Sequence, residues 1–120
     1  MRFLVFAAVL LLPVVSNADR ISVAMYETVP QSEDLVTAYV QGVGVGLEDA
    51  NYYLEVSHQK KLFCVPEGKD LKYRKILDAY LALHEMKEDA KPLFTIDSVL
   101  FLALKSMYPC TTAKKDNKRK

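Results

Sequence analysis

The sequence predicts an all-α domain: a small bundle of three main helices, with room for a short fourth ahead of them, closed by one disulfide. Three observations predict it. Apolar residues recur at helical spacing in three separate stretches. No segment alternates apolar and polar residues as a strand would. Only two cysteines are present, Cys64 and Cys110, and neither lies in a CxxC setting.

The chain has 120 residues, which bounds it to one domain. A domain of this size buries little more than ~60% of the surface its unfolded chain exposes. Its stability margin is thin, and a cross-link matters to it.

The first 18 residues have the layout of a secretory signal peptide. Met1 and Arg2 form a short basic start, and Phe3 to Val15 is a run of 13 apolar residues when Pro13 is counted. Ser16, Asn17 and Ala18 follow, which predicts cleavage after Ala18. The run is shorter than the ~20 residues that a membrane span requires. A soluble, exported mature protein without a membrane span is the expectation, and the periplasm is its expected location. Export also favours pairing Cys64 with Cys110, the alternative being two buried free thiols. A bridge closing so long a loop is worth at most about 4 kcal/mol.

Asp19 to Gln31 holds Pro30 and reads as an extended arm or a short lead-in helix. Ser32 to about His58 reads as a long helix, with Ser32 as N-cap and Glu33 and Asp34 in its first turn. Val36, Val40, Val43, Leu47, Ala50 and Leu54 make its apolar stripe. Glu33, Thr37, Gln41, Glu48, Asn51 and Glu55 fall on the other side. Gly42, Gly44 and Gly46 interrupt it, each at about 1 kcal/mol relative to Ala. Ala38, Gly42, Gly46 and Ala50 are spaced by four and form one small-residue ridge, suited to close helix packing. The glycines do not match a phosphate-binding loop, because no GxGxxG spacing and no following Lys-Ser or Lys-Thr is present.

Lys60 to Lys69 is a connection in which Phe63 and Val65 face the core beside Cys64, with Pro66 and Gly68 as turn residues. Asp70 is the expected N-cap of a second helix from Leu71 to about Met86, with Tyr73, Ile76, Leu77, Tyr80, Leu81 and His84 on its stripe. Lys87 to Pro92 is a charged loop. A third helix runs from about Thr95, its N-cap, to Tyr108. Ile96, Val99, Leu100, Ala103, Leu104 and Met107 line one side, and Phe101 and Leu102 make the rest unusually apolar. That helix is either central or an oligomer face. Residues 114–120, KKDNKRK, form a basic tail.

Charge and motifs narrow the function. The whole chain carries 16 basic and 15 acidic residues, too balanced for a dedicated nucleic-acid binder. Residues 19–113 hold 10 basic and 14 acidic residues. No His, Cys or carboxylate spacing suggests a metal site. His58 and His84 each sit near a helix end, where capping explains them. No catalytic residues, metal or cofactor are expected, and the chain does not read as an enzyme.

Four segments in order carry a resemblance: YVQGVGVGL, LFCVPEG, KILDAYLALHE and SVLFLALKSMYPC. Within them stand Tyr39 and Gly42, then Phe63, Cys64 and Pro66, then Tyr108, Pro109 and Cys110. The chain resembles the Rap/Tai family of periplasmic immunity proteins over about Leu35 to Cys110. It departs from the family pattern in having no Cys between Leu35 and Tyr39, and in having Glu85 rather than Pro after His84. The resemblance implies a stoichiometric inhibitor of a peptidoglycan amidase effector delivered by type VI secretion. It also implies a homodimer, which the small-residue ridge and the apolar third helix suit. With exposure added, it points to the segment from His84 to Pro92 as the effector-binding plug. Glu85, Lys87, Glu88, Asp89 and Lys91 supply the charge there and Met86 the apolar anchor. The polar face around Gln41, Glu48 and Tyr52 is the second choice. The alternative function is an acid-stress chaperone of the same compartment, or another small envelope binding protein.

Overall fold

A computed structural model describes residues 20–30 and 33–111. The signal-peptide segment, the Ser32 cap and the basic tail lie outside those residues. Among the described residues, four helices form a small all-α bundle: α1 (Val23–Thr28), α2 (Asp34–Val56), α3 (Tyr73–Leu83) and α4 (Ile96–Met107). Among the described residues there is no strand, only one antiparallel bridge between Ser22 and Thr95. No described helix is long and apolar enough to cross a membrane.

The helix α4 is the central element. Ile96, Val99, Leu100, Ala103 and Leu104 are buried, and α2 and α3 pack on it and on each other. Fully burying a Leu or Ile side chain contributes about 1.5–3 kcal/mol, so Ile96, Leu100 and Leu104 with Leu77 of α3 dominate the core.

The segment before Pro30 is a helix rather than an arm. Ser22 caps α1, its hydroxyl accepting from the Met25 amide at 3.2 Å. The amides of Val23 and Ala24 donate to the carbonyls of Phe94 and Lys91 at 2.8 and 3.2 Å. The first three amides of α1, which its own turns cannot satisfy, therefore all find acceptors. The Ile96 amide returns a bond to the Ile21 carbonyl at 2.9 Å. Val23 and Tyr26 are buried, so α1 belongs to the core.

The buried line of α2 runs through Val36, Val40, Gly44 and Asn51. This corrects two expectations. Ala50 is exposed, and Asn51 is buried. The amide of Asn51 bonds the backbone of the connection: Nδ2 donates to the Phe63 carbonyl at 2.6 Å and Oδ1 accepts from the Leu62 amide at 2.8 Å. The small-residue ridge does not pack against another helix within the described residues. Ala38, Gly42, Gly46 and Ala50 all face outward, and a β-carbon added at Gly42 or Gly46 would meet nothing within 4 Å. The close approach is at Gly44, against the ring of Tyr73.

The end of α2 is a Schellman motif. His58 takes the left-handed conformation, with φ 57°. Its amide donates to Glu55 at 3.0 Å, and the Gln59 amide donates to Leu54 at 2.8 Å. Beyond it, Phe63 is buried and Val65 packs on the core. Cys64 is bonded to Cys110 with the two Cα atoms 4.9 Å apart.

The second predicted helix starts later and stops earlier than its periodicity suggests. Leu71 and Tyr73 are both buried. Residues two apart do not share a face in a helix, and the chain stays non-helical through Lys72, the observed N-cap. The Asp70 carboxylate pairs instead with Lys72 at 3.1 Å. At the other end the helix closes at Leu83, and Met86 folds back onto the core.

Candidate interaction site

The segment from His84 to Pro92 connects α3 to α4. His84 closes α3, its ring stacked on Tyr80 with centroids 4.1 Å apart. Successive turns follow, with the Ala90 and Lys91 amides both donating to the Lys87 carbonyl at 2.9 and 3.2 Å. The Leu93 amide donates to the Ala90 carbonyl at 2.9 Å, and the Ala24 amide of α1 donates to the Lys91 carbonyl at 3.2 Å.

The charges divide into two groups. Glu85, Lys87, Glu88 and Asp89 are exposed. Lys91 is mostly covered and acts as a strut, its ammonium 2.8 Å from Glu27 of α1 and 2.6 Å from Glu88. Hydrogen bonds to Glu27 and then Glu88 hold its pKa above the ordinary lysine value of 10.5. The strut joins the loop to α1 from beneath.

Met86, the expected apolar anchor, is not displayed. It is half-buried and packs against the core, because the chain turns inward immediately after α3. The apolar residues that the structure does expose here are Leu83, at 80%, and Leu93, at 79%, at the two ends of the segment. Sequence reasoning passed over both. Leu83 lies off the apolar stripe of its helix, and Leu93 lies between the charged loop and the third helix, so neither belongs to a periodic pattern.

Two tyrosine–carboxylate bonds tie the helices beneath. The hydroxyl of Tyr26 donates to Asp78 Oδ1 at 2.5 Å, and Arg74 reaches from α3 to Thr37 of α2 at 2.6 Å. The hydroxyl of Tyr73 donates to Glu48. Burial first, then the bond to Asp78, raises the Tyr26 pKa above 10.0. Burial, then the bond to Glu48, raises that of Tyr73 well above 10.0. The second-choice surface is an open groove between α2 and the connection, of about 150 Å³, lined by Glu48, Tyr52, Glu55, Lys61, Phe63 and Val65. Gln41 is exposed on α2 and does not line that groove. Among the described residues, no group of three or more His, Cys, Asp or Glu could hold a metal ion.

No family model matches the chain, and neither a characterised protein nor a solved structure does.

Proposed function

We propose that the protein is a stoichiometric inhibitor, an immunity protein of the periplasm that binds a peptidoglycan amidase effector of type VI secretion and covers its active site with residues 84–92. The reading joins the Rap/Tai resemblance to one observation: the charged segment is exposed yet braced. Helix α3 precedes one end, α4 follows the other, and Lys91, near the second end, bonds both Glu88 of the segment and Glu27 of α1. A loop ordered before contact loses less freedom on binding, which favours tight association. The displayed charges set encounter rate, and Leu83 and Leu93 supply apolar contact.

The test is inhibition of type VI amidase effectors, beginning with any exported amidase found encoded beside the gene for this protein. The mature chain should block peptidoglycan hydrolysis at one molecule per enzyme. Reversing Glu85→Lys and Asp89→Lys leaves the Lys91 strut in place and should slow association without loss of fold. Unimpeded hydrolysis with excess protein would remove the amidase reading. Holding of unfolded client proteins at strongly acidic pH would support the chaperone instead.

A further inference from the structure

We propose that the disulfide-bonded end of the bundle is a membrane-contacting face, which docks the protein on the surface of a bilayer containing anionic phospholipid. Charge is segregated along the chain. Residues 60–75 and 105–120 together hold twelve basic and three acidic residues. The rest of the chain from Asp19 onward holds three basic and twelve acidic residues. A total near zero therefore conceals two halves of opposite sign.

The fold gathers the positive half at one end. Cys64 is bonded to Cys110, and its amide donates to the Tyr108 carbonyl at 2.8 Å, so the connection after α2 lies against the end of α4. Lys69, Lys72 and Lys75 are exposed around an open groove of about 240 Å³ that also reaches Ile76, Met107 and Tyr108. The connection, the start of α3 and the end of α4 thus share this end. Residues 112–120 follow directly from it in sequence and carry five of the twelve cations.

Acidic side chains do not cancel the face. Asp70, which also lines the groove, bonds Lys72 at 3.1 Å, and Glu55 bonds Lys61 at 3.4 Å. Surface pairs of this kind hold weakly. Lys69, Lys75 and Lys105 form no ion pair among the described residues.

A bilayer is the anion that this chemistry fits. Lysine ammoniums meet phosphates as point charges, and the attraction to an anionic bilayer grows with each one brought to its surface. The groove between the lysines is not purely polar, since Met107 is 46% exposed there. A flexible thioether side chain among cations suits the boundary between headgroups and acyl chains. A DNA duplex offers phosphates at its surface but no such layer for Met107 to enter.

Docking by this end also orients the molecule. Helix α3 leads from it to residues 84–92, and α4 returns from them. The 11 residues of α3 span about 16 Å, so residues 84–92 stay clear of the bilayer. Glu85, Glu88 and Asp89 are repelled by the same surface that attracts the lysines. Docking does not depend on what residues 84–92 bind.

Co-sedimentation of residues 19–120 with vesicles is the test. Two compositions are compared: phosphatidylcholine alone, and phosphatidylcholine with an equal share of phosphatidylglycerol. At ~0.1 M salt, where charges act over about 10 Å, the protein should pellet with the second and not with the first. At ~1 M salt it should be released. Lys69→Gln, Lys72→Gln and Lys75→Gln together should weaken partitioning on the order of a hundredfold, with helix content unchanged. Glu85→Gln with Asp89→Gln should not weaken it. Equal pelleting with both vesicles, or none with either at ~0.1 M salt, overturns the proposal. Binding that the triple lysine variant leaves intact overturns it too. So does release from the vesicles by a DNA duplex at matched phosphate concentration, which would assign the face to a soluble polyanion.

Discussion

The aromatic ring of Tyr73 fills the space that a β-carbon on Gly44 would need. Helices α2 and α3 meet there with no side chain on the α2 side. Gly44→Ala gains helix propensity of about 1 kcal/mol and forces a displacement of a buried ring, which costs about 1–3 kcal/mol or more. Net destabilisation of about 1–2 kcal/mol is expected in urea melts. In dilute protein, Gly42→Ala and Gly46→Ala should each stabilise by about 0.5–1 kcal/mol, since nothing stands within 4 Å of either added carbon.

Asn51 holds the Phe63 carbonyl and the Leu62 amide through one side chain. Asn51→Ala leaves both backbone groups without their partner, at about 1–3 kcal/mol for each one that water does not reach. A loss of about 2–4 kcal/mol in chemical denaturation is expected. A loss below that of an ordinary surface substitution would show that water replaces the amide.

His58 sits in left-handed backbone that costs a residue with a β-carbon about 1–2 kcal/mol. His58→Gly should raise stability by about 1 kcal/mol. His58→Ala keeps the β-carbon and should give no such gain, and thermal melts of the two variants separate backbone strain from any role of the imidazole.

Removing the bridge by Cys64→Ala with Cys110→Ala frees a loop 46 residues long in sequence separation. Destabilisation of up to about 4 kcal/mol is expected, a large share of the ~5–15 kcal/mol of a small domain. Equilibrium unfolding of the paired variant beside the oxidised protein measures it.

The two raised tyrosines give a pH dependence of known sign. A folded-state pKa above the unfolded value of 10.0 means that the neutral phenol is favoured in the fold. Their contribution is fully present below pH 10.0 and is lost as pH rises through the folded values. Stability should therefore decline on the alkaline side of that value. Tyr73→Phe should make the decline shallower, while lowering stability at neutral pH through loss of the bond to Glu48. Denaturant midpoints collected against pH supply the check.

The long helices were legible because their apolar residues repeat over many turns, as Ile96, Val99, Leu100, Ala103 and Leu104 do. The bridge was legible from two cysteines in a chain that begins like an exported one. Helix α1 was legible only as one of two alternatives, because six residues are too few to display a period. The buried line of α2 was legible at Val36 and Val40 but not beyond them. It passes through Gly44 and Asn51, and each is buried for the sake of one distant partner, a ring or a peptide backbone, that hydrophobic pattern does not encode. The charged segment after α3 could be read as exposed, but its brace could not. Glu27 lies far from Lys91 in sequence and meets it only because α1 docks against the α3–α4 connection.

The Cys64–Cys110 bond encloses α3, residues 84–92 and α4 in one covalent ring. Exposed turns such as 88–90 are where proteases cut first. A single cut there opens the ring without releasing either piece, because each fragment keeps one of the bonded cysteines. The nicked molecule would migrate at full size on a non-reducing gel and fall into two bands only when a reductant is added. Buried α4 and its partner helices would then have no need to find each other again after damage, since they never part.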